Sequence, residues 1–278
     1  MSSSYNTALL RARGLNKEYI QRSPLTRAKF TIPALHNLNL TIRRGATLAV
    51  VGESGAGKST LVRCLALIEK PTAGEIRWNG VDLLGLKKRE LFAMRGKVQI
   101  IFQDPASSLN PGMTAGEIVE EPLVIQRIGA REKRRARVLE LMEQVGLSAK
   151  SAGKLPGEFS GGQRQRLAIA RALALGPELL ILDEALSNLD LANQEMILQL
   201  LRELQSAHGL TYLYVAHDLN MVEDVADEVA VMYEGQIVEQ KYAPAIFTEA
   251  QHPYTQELLA MAPPLESIIA ARREWDRT

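Results

Sequence analysis

The chain has 278 residues, enough to bury a core unaided. Its 46% hydrophobic and 23% charged residues exclude a wholly disordered, collagen-like or disulfide-stapled protein. Lys and Arg (33) nearly cancel Asp and Glu (32), so no global field draws it to nucleic acid or lipid; its one cysteine, Cys64, cannot close an internal disulfide or build a metal cage, which fits a reducing compartment.

The first ten residues lack a cationic segment followed by an apolar core, so no secretory signal is expected. The longest apolar runs, such as 179–182 and 229–232, fall far short of the roughly 20 residues of a membrane-spanning helix. Residues 34–51 read as a half-exposed strand, a turn at Arg43-Arg44-Gly45 and a buried strand. The buried strand runs into Gly52-Glu53-Ser54-Gly55-Ala56-Gly57-Lys58-Ser59, after which Thr60 to Ile68 reads as helix. Further buried strands are expected at Val98 to Phe102, Leu179 to Leu182, Thr211 to Ala216 and Glu228 to Tyr233, with helices at Gly161 to Leu175 and Leu191 to Ala207. This alternation implies a mainly parallel α/β sheet. Between Thr114 and Lys154 no strand is convincing, and Val138, Leu141, Met142 and Val145 recur at helical spacing, so a helical insert is expected. Its basic run Arg131 to Arg137 reads as a solvated helix face. A strand and a short helical tail follow Gly235, and Ala262-Pro263-Pro264 marks the expected end of ordered packing.

The segment Gly52 to Ser59 fits G-x-x-x-x-G-K-[ST]. Its glycines let the backbone form a nest of N–H groups around a β-phosphate, and the helix near Lys58 adds its positive end. Lys58 reaches the β- and γ-phosphates, and the Ser59 hydroxyl suits Mg²⁺ bridging them. Leu179 to Glu184 is an apolar strand that carries two carboxylates to the same sheet edge. Asp183 is expected to hold Mg²⁺, and Glu184 to orient and deprotonate the attacking water.

Phe159-Ser160-Gly161-Gly162-Gln163, between these two motifs and ahead of a strongly helical run, completes an order and spacing that resembles the nucleotide-binding subunits of ATP-binding cassette transporters over residues 8–262. The resemblance implies a phosphate-loop NTPase core with a mainly parallel sheet, an antiparallel β subdomain and a helical insert at about 104–175, in one domain spanning 1–262, with 263–278 as a tail. It implies ATP and Mg²⁺ as ligands, the stretch Gly52 to Thr60 on the phosphates, Tyr19 stacked on adenine, Gln103 sensing metal and attacking water, and His217 on the γ-phosphate. It also implies that Ser160, Gly161, Gly162 and Gln163 act on ATP held by a second ATPase subunit. Ala185-Leu186 and Asn188 depart from the family's usual pattern after Glu184.

Residues 103–114 with Glu121-Pro122-Leu123, and the tail His252-Pro253-Tyr254-Thr255, resemble the oligopeptide, dipeptide and nickel importer branch. This implies a peripheral ATPase on the cytoplasmic face of the cell membrane, partnered by transmembrane permease subunits, with no nucleic acid and no direct contact with solute. The loop after Gln103, with Ala106 and Leu109 accessible, is expected to grip a cytoplasmic helix of the permease, while Glu239 is expected on an outlying tail. An accessory ATPase of a soluble complex that cleaves carbon–phosphorus bonds is the alternative, and a nucleic-acid or ribosome ATPase a weaker third.

Overall fold

The computed structural model describes residues 7–22, 29–104, 108–187, 189–217, 222 and 225–261. The elements run β1 (Ala8–Arg22), β2 (Lys29–Arg43), β3 (Thr47–Val51), α1 (Lys58–Leu65), β4 (Ala73–Trp78), β5 (Val81–Asp82), α2 (Lys88–Lys97) and β6 (Val98–Ile101). They continue through α3 (Ala115–Ile125), α4 (Arg131–Gln144), two 3₁₀ turns, α5 (Gly161–Leu173), β7 (Leu179–Asp183), α6 (Leu191–His208) and β8 (Thr211–Ala216). The chain then forms β9 (Glu228–Tyr233), β10 (Gln236–Tyr242), α7 (Ala243–Thr248) and α8 (Pro253–Met261).

A six-stranded sheet has the order β10-β9-β3-β8-β7-β6, and a four-stranded antiparallel sheet the order β2-β1-β4-β5. Within the larger sheet β6, β7, β8, β3 and β9 run parallel, and β10 closes it antiparallel to β9. Buried strands alternate their side chains between two cores, as the pleat requires. Ala49, Val51, Leu180, Leu182, Tyr212, Tyr214, Val229 and Val231 face the core built with α3, α4, α5 and α6. Leu48, Val50, Leu179, Ile181, Leu213, Val215, Ala230 and Met232 face the second core, which holds α1 and the antiparallel sheet. The phosphate-loop helix α1 and the helix α5 that follows the Ser-Gly-Gly-Gln motif therefore lie on opposite faces of one sheet.

Polar residues set the helix starts. Thr114 accepts from the Glu117 amide while Glu117 accepts from the Thr114 amide, and Ser160 and Gln163 form the same reciprocal box at α5. Asp190 caps α6 through the Asn193 amide, and each such cap is worth about 1 kcal/mol. The basic run on α4 is largely solvated, with Arg134 paired to Glu120 and Arg137 to Glu140.

Two placements differ from expectation. Leu109 is 2% exposed and packs in the helical core, whereas its neighbour Asn110 is the accessible residue. Glu239 is not on an outlying tail: it lies buried on β10, where its carboxylate accepts from the amides of Gln251 and His252 at the start of α8. Ala106, Asn188 and the tail 263–278 lie outside the described residues.

Candidate nucleotide site

Parallel pairing brings four strand ends to one edge. Val51 is level with Ala216, Asp183 with Val215, and Ile101 with Leu182. Gly52, His217, Asp183 with Glu184, and Gln103 thus follow one another along the carboxyl edge in the order of strands β3, β8, β7 and β6.

The loop from Gly52 to Gly57 has the backbone that its glycines permit. Gly57 has φ of 104° at the start of α1, and a Cβ there would approach the Ala34 carbonyl to 2.5 Å, so no other residue fits without displacement. The Glu53 peptide ties the loop together. Its carbonyl accepts from the Ala56 amide at 3.2 Å and from Lys58 Nζ at 2.9 Å. Lys58 also donates to the Gly52 carbonyl. Burial lowers the Lys58 pKa, while the carboxylates of Glu184, Asp183 and Glu53 act in the other direction. Ser59 is exposed on the first turn of α1 and Thr60 follows it, half-buried.

Burial, and next the charge of Glu184, raise the Asp183 carboxyl above its ordinary range, with Arg63 and Lys58 opposing the shift. Glu184 has φ of 49°, a left-handed conformation that costs a non-glycine residue about 1–2 kcal/mol. Its amide donates to the Val215 carbonyl at 3.1 Å, and the Ser187 amide and hydroxyl both donate to its carbonyl, at 3.1 and 2.9 Å. The strained residue is thereby fixed on both sides of its peptide. Gln103 Nε2 lies 3.5 Å from Ser187 Oγ, which joins the β6 end to the same turn. His217 is exposed immediately after β8.

Tyr19, on β1, comes within 3.5 Å of Thr60 Oγ1, so the antiparallel sheet delivers it to α1. Its hydroxyl donates to Glu69 at 2.7 Å, and Lys17 Nζ sits 5.1 Å from its ring centre. Sequence reading missed Glu69 as the anchor of this ring. It also missed three braces around the phosphate loop. Gly235 donates to the Ala56 carbonyl at 2.9 Å, the Met232 carbonyl leaves no room for a side chain at Gly52, and Tyr254 accepts from the Glu53 amide at 3.0 Å. Tyr254 stands in the tail motif that resembles the importer branch.

The Ser160 motif does not join the edge. Ser160, Gly161 and Gln163 are exposed at the start of α5, across the sheet from α1, and Gly162 is buried against Asn193.

A profile of the ABC transporter family matches residues 35–187, from β2 to the turn after Glu184. The chain belongs to this family. It is 45% identical to the dipeptide transport ATP-binding protein DppF of Haemophilus influenzae over 268 residues, covering 96% of this chain and 82% of that one. It is 46% identical over 257 residues to DppF of Escherichia coli, covering 92% and 77%, and 46% identical over 235 residues to the oligopeptide transport ATP-binding protein OppF of Bacillus subtilis, covering 84% and 77%. Among solved structures, a dimeric post-hydrolysis state of the ATP-binding cassette MJ0796 with ADP and Pi matches with a TM-score of 0.73 and 33% identity over 84% of this chain and 98% of that one. CbiO1 of Clostridium perfringens matches with 0.75 and 29% over 87% and 91%. The chain has the fold of an ABC ATPase and is an ATP-binding cassette.

Proposed function

We propose that this chain is the ATP-hydrolysing subunit of a membrane importer for peptides or a similar small solute. The observation that carries the proposal is the shared sheet edge, where Lys58, Asp183, Glu184, Gln103 and His217 lie together while Ser160 to Gln163 lie across the sheet from them. Relatives named for dipeptide and oligopeptide transport support the solute class.

In this reading the loop amides and the positive end of α1 receive the phosphates of ATP. Lys58 exchanges its bonds to Gly52 and Glu53 for the β- and γ-phosphates, and Tyr19 receives adenine. The donor set suits Mg²⁺: Ser59 offers a hydroxyl, Asp183 a carboxylate and Gln103 an amide oxygen, hard oxygen ligands that would hold the ion alongside phosphate oxygens. Once bound, that ion supplies charge neutralisation across the β- and γ-phosphates. Glu184 orients the attacking water and takes its proton as the water oxygen bonds to the γ-phosphorus and the bond to the bridging oxygen breaks, giving ADP and phosphate. His217 contacts the γ-phosphate.

Ser160, Gly161, Gly162 and Gln163 complete the nucleotide site of a second ATPase subunit, of this or a similar chain. Closure and opening of the pair would drive permease subunits from the cytoplasmic face of the membrane, through the stretch between Gln103 and Leu123. No helix among the described residues is long and apolar enough to cross a membrane, so attachment would run through those partners. Purification of the tagged chain from solubilised membranes tests this. Recovery of permease subunits and a second ATPase is expected; recovery of soluble enzyme subunits instead would overturn it in favour of the carbon–phosphorus alternative.

A further inference from the structure

The His252-Pro253-Tyr254-Thr255 segment has no part in the chemistry described above, yet it reaches the phosphate loop. Glu239 on β10, 8% exposed, accepts from the amides of Gln251 and His252 and so fixes the start of α8. His252 Nδ1 accepts from the Tyr254 amide at 3.2 Å, which closes the turn around Pro253. Tyr254 is thereby buried, with its ring 4.2 Å from that of Tyr233 at the end of β9. At the tip of this support its hydroxyl accepts from the Glu53 amide at 3.0 Å.

The peptide between Gly52 and Glu53 carries both sides of the contact. Its N–H, that of Glu53, is held by Tyr254, and its carbonyl, that of Gly52, accepts from Lys58 Nζ. Rotation of that peptide would release the amide and move the carbonyl that stations the lysine. One hydrogen bond donated to the Tyr254 hydroxyl suffices to bias a loop of glycines.

We infer that Tyr254 is a positioning residue for the phosphate loop, acting through the peptide between Gly52 and Glu53 to hold Lys58 and the loop in the conformation that receives phosphate. The inference rests on the nucleotide reading of the loop. It gives the C-terminal helix a direct influence on ATP affinity, from a residue 201 positions away in sequence.

The test compares the whole chain with Tyr254→Phe, which keeps the ring against Tyr233 and removes only the hydroxyl. Hydrogen exchange at the Glu53 amide should accelerate at least about tenfold, and the dissociation constants for ATP and for ADP should each rise about threefold to tenfold. Turnover at saturating ATP should fall by a smaller factor than affinity does, because the carboxylates on β7 are untouched. Tyr254→Ala, which also loses the ring packing, should add a fall in melting temperature that the Phe variant lacks. Unchanged exchange at Glu53, faster exchange with unchanged nucleotide affinity, or a loss in turnover exceeding the loss in affinity would each overturn the inference. Lys58→Ala, measured beside them, isolates the underlying reading: if that variant binds ATP normally the loop is not the phosphate site, whereas failure of the Tyr254 variant alone removes only the present inference.

Discussion

Lys58 Nζ is bonded to the Glu53 carbonyl, 2.9 Å away, five residues back along the same loop. The cation is thus held inside the loop, bonded to the Gly52 and Glu53 main-chain oxygens that phosphate oxygens would replace. Lys58→Ala should lower ATP affinity at least about tenfold, since a compact charge and three donors are lost where the phosphates gather. Isothermal titration measures this, and an unchanged dissociation constant would remove Lys58 from the site.

Glu184 is held in a left-handed backbone by Val215 and Ser187, which places its carboxylate at the sheet edge at some conformational cost. Glu184→Gln retains the side-chain shape and should bind ATP normally while hydrolysing it at least about a hundredfold more slowly. Steady-state phosphate release reads the effect. Near-normal turnover would assign the base elsewhere.

Much of this site was legible in the sequence because its chemistry is local. Glycines at fixed offsets before Lys58 define the loop, and the apolar run ending at Asp183-Glu184 defines a buried strand that must deliver its last residues to the sheet edge. The parallel strands from Val98 onward were also clear, since buried strands are continuous apolar runs. The antiparallel sheet was less so. β1 carries Tyr19 among alternating polar residues and four register irregularities with β2, and β4 and β5 are short and partly exposed, so neither shows a clean period. The exposed helix α2 has no buried residue and hence no apolar stripe. Braces such as Gly235 and Tyr254 could not be read, because each depends on which elements pack on the loop.

Glu239 makes the C-terminal support sensitive to acid. Burial raises the pKa of its carboxyl, but Lys241 and the amides of His252 and Gln251 outweigh that effect and hold it at about 2. A depressed carboxylate stabilises the fold above its unfolded-state pKa, and that contribution is lost as pH falls through about 4.5 towards 2. Glu239→Gln should therefore cost about 3 kcal/mol at neutral pH, and the difference from the unsubstituted chain should shrink to near zero at the acid end of that window. Urea unfolding over a pH series checks it. A difference that stays constant from neutral pH to pH ~3 would contradict the assignment.

Gly161 separates a role within the chain from a role beyond it. A Cβ at this position would meet nothing within 4 Å, and the backbone there is not left-handed, so Gly161→Asp should leave folding and the affinity of a single chain for ATP unchanged within about twofold. Yet the residue lies at an exposed helix start that is proposed to face the γ-phosphate of a second subunit, where a carboxylate repels. Hydrolysis should fall at least about tenfold. Retained hydrolysis would show that the Ser160 to Gln163 surface is not used.

The proposal that two chains share each nucleotide is tested most directly by the mass of Glu184→Gln in solution with ATP and Mg²⁺, measured by light scattering on a sizing column. Hydrolysis is expected to be at least about a hundredfold slower in this variant, so the closed state should accumulate. The expected result is a species of twice the chain mass that holds two ATP, reverts to single chains when ATP is withdrawn, and fails to form when Gly161→Asp is added to the same chain. Single chains carrying bound ATP, at protein concentrations well above those of the ATPase assay, would contradict the head-to-tail pairing.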